Sequence, residues 1–134
     1  METVRLTDDQ QKRLRRIGAV LCYAHGSVIH GTSRQDSDLD IAVLFERMPE
    51  DPVGMTGRIL GALEGYMPGH SKDIAILNEA SPLFRQIVAS TGMLLYARSP
   101  EDTLQFELRS MHEYEYSRHI VRLGQEIVMK RAGL

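Results

Sequence analysis

The stretch Gly26-Ser27-Val28-Ile29-His30-Gly31-Thr32-Ser33-Arg34-Gln35-Asp36-Ser37-Asp38-Leu39-Asp40 runs into the apolar segment Ile41-Ala42-Val43-Leu44-Phe45. It reads as Gly-Ser, ten residues, then Asp-x-Asp at the mouth of a strand. A strand turns its side chains with a period of two, so Asp38 and Asp40 share a face. Two carboxylates fixed side by side repel unless a cation lies between them, and hard divalent ions such as Mg²⁺ take oxygen ligands of this kind. Ahead of the pair, Leu21-Cys22-Tyr23-Ala24-His25 reads as a strand ending in the Gly26-Ser27 turn. A short helix over 27–33 is predicted to follow. Its free N–H groups and the Ser27 hydroxyl can hold phosphate oxygens. A phosphate cradle beside a metal-binding pair points to nucleotide chemistry.

A second stretch supports that reading. Asp40-Ile41-Ala42-Val43-Leu44 recurs almost letter for letter as Asp73-Ile74-Ala75-Ile76-Leu77. If the two are neighbouring strands, Asp73 projects from the same face and end as Asp38 and Asp40. Three converging carboxylates could hold two metal ions for an in-line phosphoryl or nucleotidyl transfer. The echo is too short to indicate a repeat architecture.

Composition narrows the function class. With 134 residues and 43% hydrophobic residues, the chain can bury a core without disulfides or a structural metal. The net charge of −2 argues against a broad nucleic-acid-binding surface, which is usually strongly basic. The single cysteine, Cys22, allows no internal disulfide and lies in an apolar run, so it reads as a small buried hydrophobe. No apolar run approaches the length that spans a bilayer, and Asp8 and Asp9 do not fit a signal peptide. A cytoplasmic protein without a membrane role is the expectation.

The rest of the chain alternates helix and strand signals. Thr7-Asp8-Asp9-Gln10 has the spacing of a capping box. Leu14, Ile17 and Leu21 follow at helical spacing, with Lys12, Arg13, Arg15 and Arg16 on a solvated face. The helix gives way near Gly18 to a first strand over about 20–25. In the second strand Leu39, Ile41, Val43 and Phe45 form one face, while Ala42 and Leu44 continue the face of the aspartates. Asp51-Pro52 opens a helix with Met55, Ile59, Leu60 and Leu63 inward, ending around Met67-Pro68-Gly69. Ser81-Pro82 opens another, with Leu83, Phe84, Ile87 and Val88 inward and Gly92 as its C′ residue. Met93-Leu94-Leu95-Tyr96-Ala97 reads as a short fourth strand. Ser99-Pro100 opens a long C-terminal helix whose apolar stripe is Leu104, Leu108, Met111, Ile120, Leu123 and Ile127, with a slip in spacing between Met111 and Ile120. Arg109, His112, Tyr114 and Tyr116 are read as a polar helix face and partner surface. His25, His70, His112 and His119 lack metal-ligand spacing and read as surface or cap histidines, and Tyr66 and Tyr96 as core-edge packing. The expectation is one domain over 1–134, with a core at about 12–98 and a helical extension at about 99–131.

These residues resemble the polymerase-β-type nucleotidyltransferase superfamily. The likeness rests on Gly26-Ser27, Asp38-x-Asp40 and a lone Asp73 on a later strand. The short length, and the run from Asp73 through Ser81 to Leu94-Leu95-Tyr96, is similar to the minimal nucleotidyltransferase (MNT) branch. The resemblance implies an α/β (α+β) fold of the polymerase-β type: a small mixed sheet of about four strands flanked by helices, with a long C-terminal helix. It implies that Gly26 and Ser27, with Ser37 and His30, bind the nucleotide. Asp38, Asp40 and Asp73 would be the catalytic and metal-binding carboxylates for two Mg²⁺ ions, Asp73 also helping to activate the attacking hydroxyl. The family often carries Arg in the pattern G-S-x-A-R-G, where this chain has Ile29-His30-Gly31, a difference that bears on nucleotide affinity. The implied reaction is AMP transfer from ATP with pyrophosphate leaving. Many members are the antitoxin of a HEPN/MNT pair and modify a tyrosine of a HEPN ribonuclease toxin, which makes such a toxin the expected partner.

Other readings compete with this one. A calcium loop opening at Asp36-x-Asp38-x-Asp40 fails, because Ile41 replaces the required Gly and Arg47 stands where the bidentate Glu belongs. No P-loop motif occurs. Two functional alternatives stay open: an antitoxin that neutralises its partner by binding alone, and a nucleotidyltransferase acting on a small molecule of the aminoglycoside type. Homo- or hetero-oligomerisation stays open as well.

Overall fold

The computed structural model describes residues 5–26 and 38–134. The predicted helix at 27–33 and the residues Ser27, His30 and Ser37 lie outside the described residues. Thr7 caps the first helix, α1 (Asp8–Arg16), through the reciprocal bonds of a capping box with Gln10. Ile17 ends it, and Gly18, at φ +89°, turns the chain into β1 (Ala19–His25). Leu21 therefore belongs to the strand rather than to the helical stripe. A register shift between Ala19 and Leu21 puts Val20 and Leu21 into the same core, after which Cys22 and Ala24 alternate with Tyr23.

The second strand, β2 (Leu39–Phe45), pairs antiparallel with β1 and parallel with β3 (Lys72–Ile76), and β4 (Met93–Ala97) pairs antiparallel with the other edge of β1. The sheet order is β3-β2-β1-β4. Leu39, Ile41, Val43 and Phe45 enter one core with Leu14 of α1 and Ile59 and Ala62 of α2 (Pro52–Ala62). Ala42 and Leu44 enter a second core with Val88 of α3 (Pro82–Thr91) and Phe106 of α4 (Pro100–Arg131). The central strand is thus covered on both faces, as its unbroken apolar run requires.

Each predicted cap is present. Asp51, Ser81 and Ser99 accept from the backbone N–H groups of Gly54, Phe84 and Asp102, ahead of prolines in the first helical turn. Several inward assignments are corrected. Helix α2 stops at Ala62 with Leu63 as its cap, short of the Pro-Gly turn, and Leu60 faces out one step round from the buried Ile59. Leu83 and Ile87 are exposed, while Val88 is fully buried. Gly92 caps α3 with φ −73°, so a left-handed backbone is not its reason for being glycine. A Cβ there would lie 2.5 Å from the Val88 carbonyl oxygen and 3.1 Å from Tyr23 Cδ1.

The largest correction concerns α4. Leu104, Leu108, Met111, Ile120, Leu123 and Ile127 are all exposed, and Phe106 and Ser110 are buried in their place. The Phe106 ring packs on Tyr23 at 5.7 Å between centroids, and Arg85 Nη1 of α3 bridges to Glu113 at 2.6 Å. Phe106, Ser110, Glu113 and Ser117 recur at helical spacing, so α4 presents the face with one aromatic knob and small or ion-paired neighbours.

The sheet's far end is pinned by a side chain. Asn78, in the 3₁₀ turn Leu77–Glu79 after β3, accepts from the Phe45 N–H at 2.8 Å and donates to the Phe45 carbonyl at 2.7 Å. It supplies a further rung where the β2–β3 ladder has ended. Replacing Asn78 by Ala leaves both Phe45 groups without this partner and is expected to cost about 1–3 kcal/mol, read as a lower midpoint in denaturant melts with unchanged m.

Candidate functional site

The parallel pairing of β2 with β3 sets Asp40 opposite Asp73, Ile41 opposite Ile74 and Ala42 opposite Ala75. The echoed segments are therefore adjacent strands in the register that aligns their aspartates. On the other side of β2, the antiparallel ladder sets His25 opposite Asp40. His25, Asp40 and Asp73 form a row across three strands at one end of the sheet, on the face of α3 and α4. Asp38 lies two residues before Asp40, and the Ser71 hydroxyl donates to its Oδ1.

Gly26 follows His25 with φ +87°, a backbone region open to glycine at little cost. A Cβ built on it would lie 2.2 Å from Asp40 Oδ2. The turn therefore runs directly against the central carboxylate, and both its backbone and its space call for glycine.

Burial holds the Asp40 carboxyl above the ordinary carboxylate range; His25 opposes that shift, and the charges of Asp73 and Asp38 add to it. The charged form of Asp40 is thus disfavoured chiefly by its partial removal from water, with His25 opposing and the neighbouring carboxylates adding to the effect. Among the described residues, no three His, Cys, Asp or Glu side chains form a group that could hold a metal ion. The oxygen donors are of the kind a hard divalent cation takes, with Asp40 and Asp73 in register and Asp38 beside them. A groove of about 380 Å³ runs along the β3 edge, lined by Ile74, Ala75, Ser81 and Phe84 among others. A second cleft, of about 330 Å³, lies at the opposite end of the sheet, where Arg85 and Arg98 are already paired with Glu113 and Asp102.

Two residues were missed by sequence reasoning. His25 was read as a surface or cap histidine, yet it sits beside Asp40 with its ring edge-on to Phe84 at 5.3 Å. The antiparallel register of β1 and β2 was the signal that could have found it. Ser71 had no signal beyond its place one residue before β3. Cys22 matches its reading: it is fully buried, and burial pushes its thiol up to about 12. Tyr66 and Tyr96 are buried in the core on the α1/α2 side, with Arg15 donating to the Tyr96 hydroxyl at 3.3 Å.

Residues 12–101 match the family described as polymerase beta, nucleotidyltransferase. Among solved structures, the chain is similar to one in a toxin–antitoxin complex with AMP-PNP, with a TM-score of 0.68 and 25% identity over 92% of this chain and 99% of that one. It is similar in fold to a chain of the MntA–HepT toxin–antitoxin, with a TM-score of 0.64 and 22% identity over 88% of this chain and 92% of that one. The same holds for the complex of tri-AMPylated Shewanella oneidensis HEPN toxin with MNT antitoxin, with a TM-score of 0.64 and 22% identity over 88% and 91%. Among curated proteins, none matches the sequence significantly.

The raised Asp40 carboxyl fixes a sign. Between the ordinary Asp value and the higher folded one, the folded state binds more protons than the unfolded, so stability falls as pH rises through that window. Asp40→Asn is expected to remove this dependence and to raise the melting temperature at neutral pH without added ligand. Gly26→Ala is expected to do the reverse, lowering it through the strained φ and the clash at Asp40. Thermal melts across acid to neutral pH check both.

Proposed function

The chain belongs to the polymerase-β nucleotidyltransferase family, and on that premise we propose that it transfers AMP from ATP to a hydroxyl of a HEPN-type protein partner, acting as the antitoxin of that pair. The observation that carries the proposal is the register pairing of Asp40 with Asp73, against which Gly26 packs. A partly buried Asp40 with the exposed carboxylates Asp38 and Asp73 beside it serves stability poorly, whereas it suits a reaction in which negative charge must be gathered and neutralised.

In the proposed reaction, the acceptor oxygen attacks the α-phosphorus of ATP. The bond from that phosphorus to the oxygen bridging toward the β-phosphate breaks, and pyrophosphate leaves. Asp40 and Asp73, in register on neighbouring strands, would supply oxygen ligands to Mg²⁺ with Asp38 drawn in beside them on binding, and the ion would neutralise charge on the attacking and leaving oxygens. The Asp73 carboxylate takes the proton released by the acceptor hydroxyl. His25 offsets part of the charge on Asp40 and holds its place against Phe84. Gly26 leaves its end of the site open to the triphosphate, with Ser27, Ser37 and His30 as further nucleotide contacts. The solved complex with AMP-PNP and the complex with a tri-AMPylated HEPN toxin support this choice of nucleotide and partner.

Neutralisation by binding alone is the second reading. The exposed apolar residues of the distal half of α4 favour it, because they offer a binding surface independent of the carboxylates. Incubation with ATP, Mg²⁺ and the cognate HEPN protein, read by intact-mass spectrometry, separates the two. The expected result is a gain of one or more AMP units on the HEPN protein, reduced about 100-fold or more in rate by Asp40→Asn. A stable complex with no mass gain would establish binding alone, and transfer to an aminoglycoside without a protein acceptor would identify a small-molecule enzyme.

A further inference from the structure

The first half of α4 packs on the body of the protein, but residues 118–134 are exposed throughout. At 1.5 Å per residue the helical part of this arm, as far as Arg131, is on the order of 20 Å long. Its surface is not that of a solvated helix. Tyr116, Ile120, Leu123 and Ile127 follow one another at steps of four, three and four residues, and Val121 and Val128 widen the same side. Tyr116 is 70% exposed and Val128 64%. On a helical projection Val121, Gly124 and Val128 continue the face that Phe106, Ser110 and Ser117 turn toward α3 and the sheet, and Tyr116, Ile120, Leu123 and Ile127 flank it on one side. The core-facing side of α4 thus runs on past the elements that cover it. A groove lined by Leu83, Tyr114, Ser117, Val121 and Arg122 marks the place where the cover ends.

Gly124 lies on that face. Its helical neighbours at minus four, minus three, plus three and plus four are Ile120, Val121, Ile127 and Val128, all exposed and apolar. A Cβ at Gly124 would meet nothing within 4 Å. Glycine within a helix costs about 1 kcal/mol relative to alanine, and here neither a turn nor a close approach inside the chain requires it. The result is a notch ringed by four apolar knobs, the shape that receives a bulky side chain from a facing helix. A lipid surface gains nothing from such a notch, because added apolar bulk there would strengthen insertion.

Charge specifies the partner further. Residues 117–134 carry Arg118, Arg122, Lys130 and Arg131 against Glu126 alone, a net +3. Two such arms laid together would set +3 against +3, which disfavours self-pairing. We propose that residues 116–131 form a docking helix for a helical protein surface that seats a large apolar side chain over Gly124 and flanks it with carboxylates. The proposal rests on the reading of this chain as one half of a protein pair and assigns the HEPN-type partner to this arm.

The test uses the full chain and its cognate HEPN protein, with affinity measured by calorimetry at low and high salt. Gly124→Leu fills the notch with a better helix former, so its circular dichroism should show helicity at or above wild type. It is expected to weaken binding about tenfold or more. Arg118→Glu with Arg122→Glu is expected to weaken binding and flatten its salt dependence. Four results would overturn the proposal: no binding by the wild-type chain, undiminished affinity in Gly124→Leu, self-association in sedimentation that Gly124→Leu abolishes, or binding to equal-part phosphatidylglycerol–phosphatidylcholine vesicles that Gly124→Leu strengthens. Affinity is read apart from AMP transfer. A chain that docks through this arm but transfers nothing keeps the inference and removes the enzymatic reading, whereas transfer and affinity both intact in Gly124→Leu do the opposite.

Discussion

The register of β2 is the constraint on which the molecule depends, because it sets Asp40 between His25 and Asp73. A side-chain period of two makes that register nearly all-or-none. A slip by one residue would turn Asp40, Ala42 and Leu44 toward α1 and α2, and would move Leu39, Ile41, Val43 and Phe45 out of the core they now fill. The two apolar cores therefore fix the side chains at the strand's mouth as firmly as they fix the fold. At the other end, Asn78 holds Phe45 in the rung that β3 is too short to supply.

The site end works against stability, and the rest of the sheet offsets it. Asp40 is held partly out of water beside two like charges. Behind these residues, β1 and β2 are buried almost without interruption between two layers of helices. A surface rich in like charge at one end, carried on an over-determined core, is the arrangement expected where conformation must be fixed before a ligand arrives.

Helix α4 divides into two parts with different physics. As far as Ser117 it is an element of the fold, anchored by Phe106 on Tyr23 and by Arg85, which also donates to the Leu77 and Asn78 carbonyls. Arg85 thereby ties α3, α4 and the 3₁₀ turn into one unit. Beyond Ser117 the helix has apolar residues with nothing covering them and cations along its flanks. Chemistry at the sheet's mouth and recognition along the arm would then be separable, each open to change without the other.

The sequence by itself determined the strands, the N-caps, the family and the pairing of the two echoed Asp-Ile-Ala segments, because each is a local signal. Period-two alternation, a Ser or Asp before Pro, and a repeated Asp-Ile-Ala segment act within a few residues and need no partner to be read. Only the tertiary structure decided that His25 stands beside Asp40, that Leu60, Leu83 and Ile87 face outward, and that Phe106 and Ser110 replace the most apolar stripe of α4 in the core. Hydrophobicity ranks the faces of a helix, but the shape of the surface it meets selects among them. On α4, a Tyr23 ring and the Arg85 guanidinium accept one aromatic, one small side chain and one carboxylate better than a row of leucines. That choice depends on residues far apart in sequence, and it left the apolar stripe free to face outward.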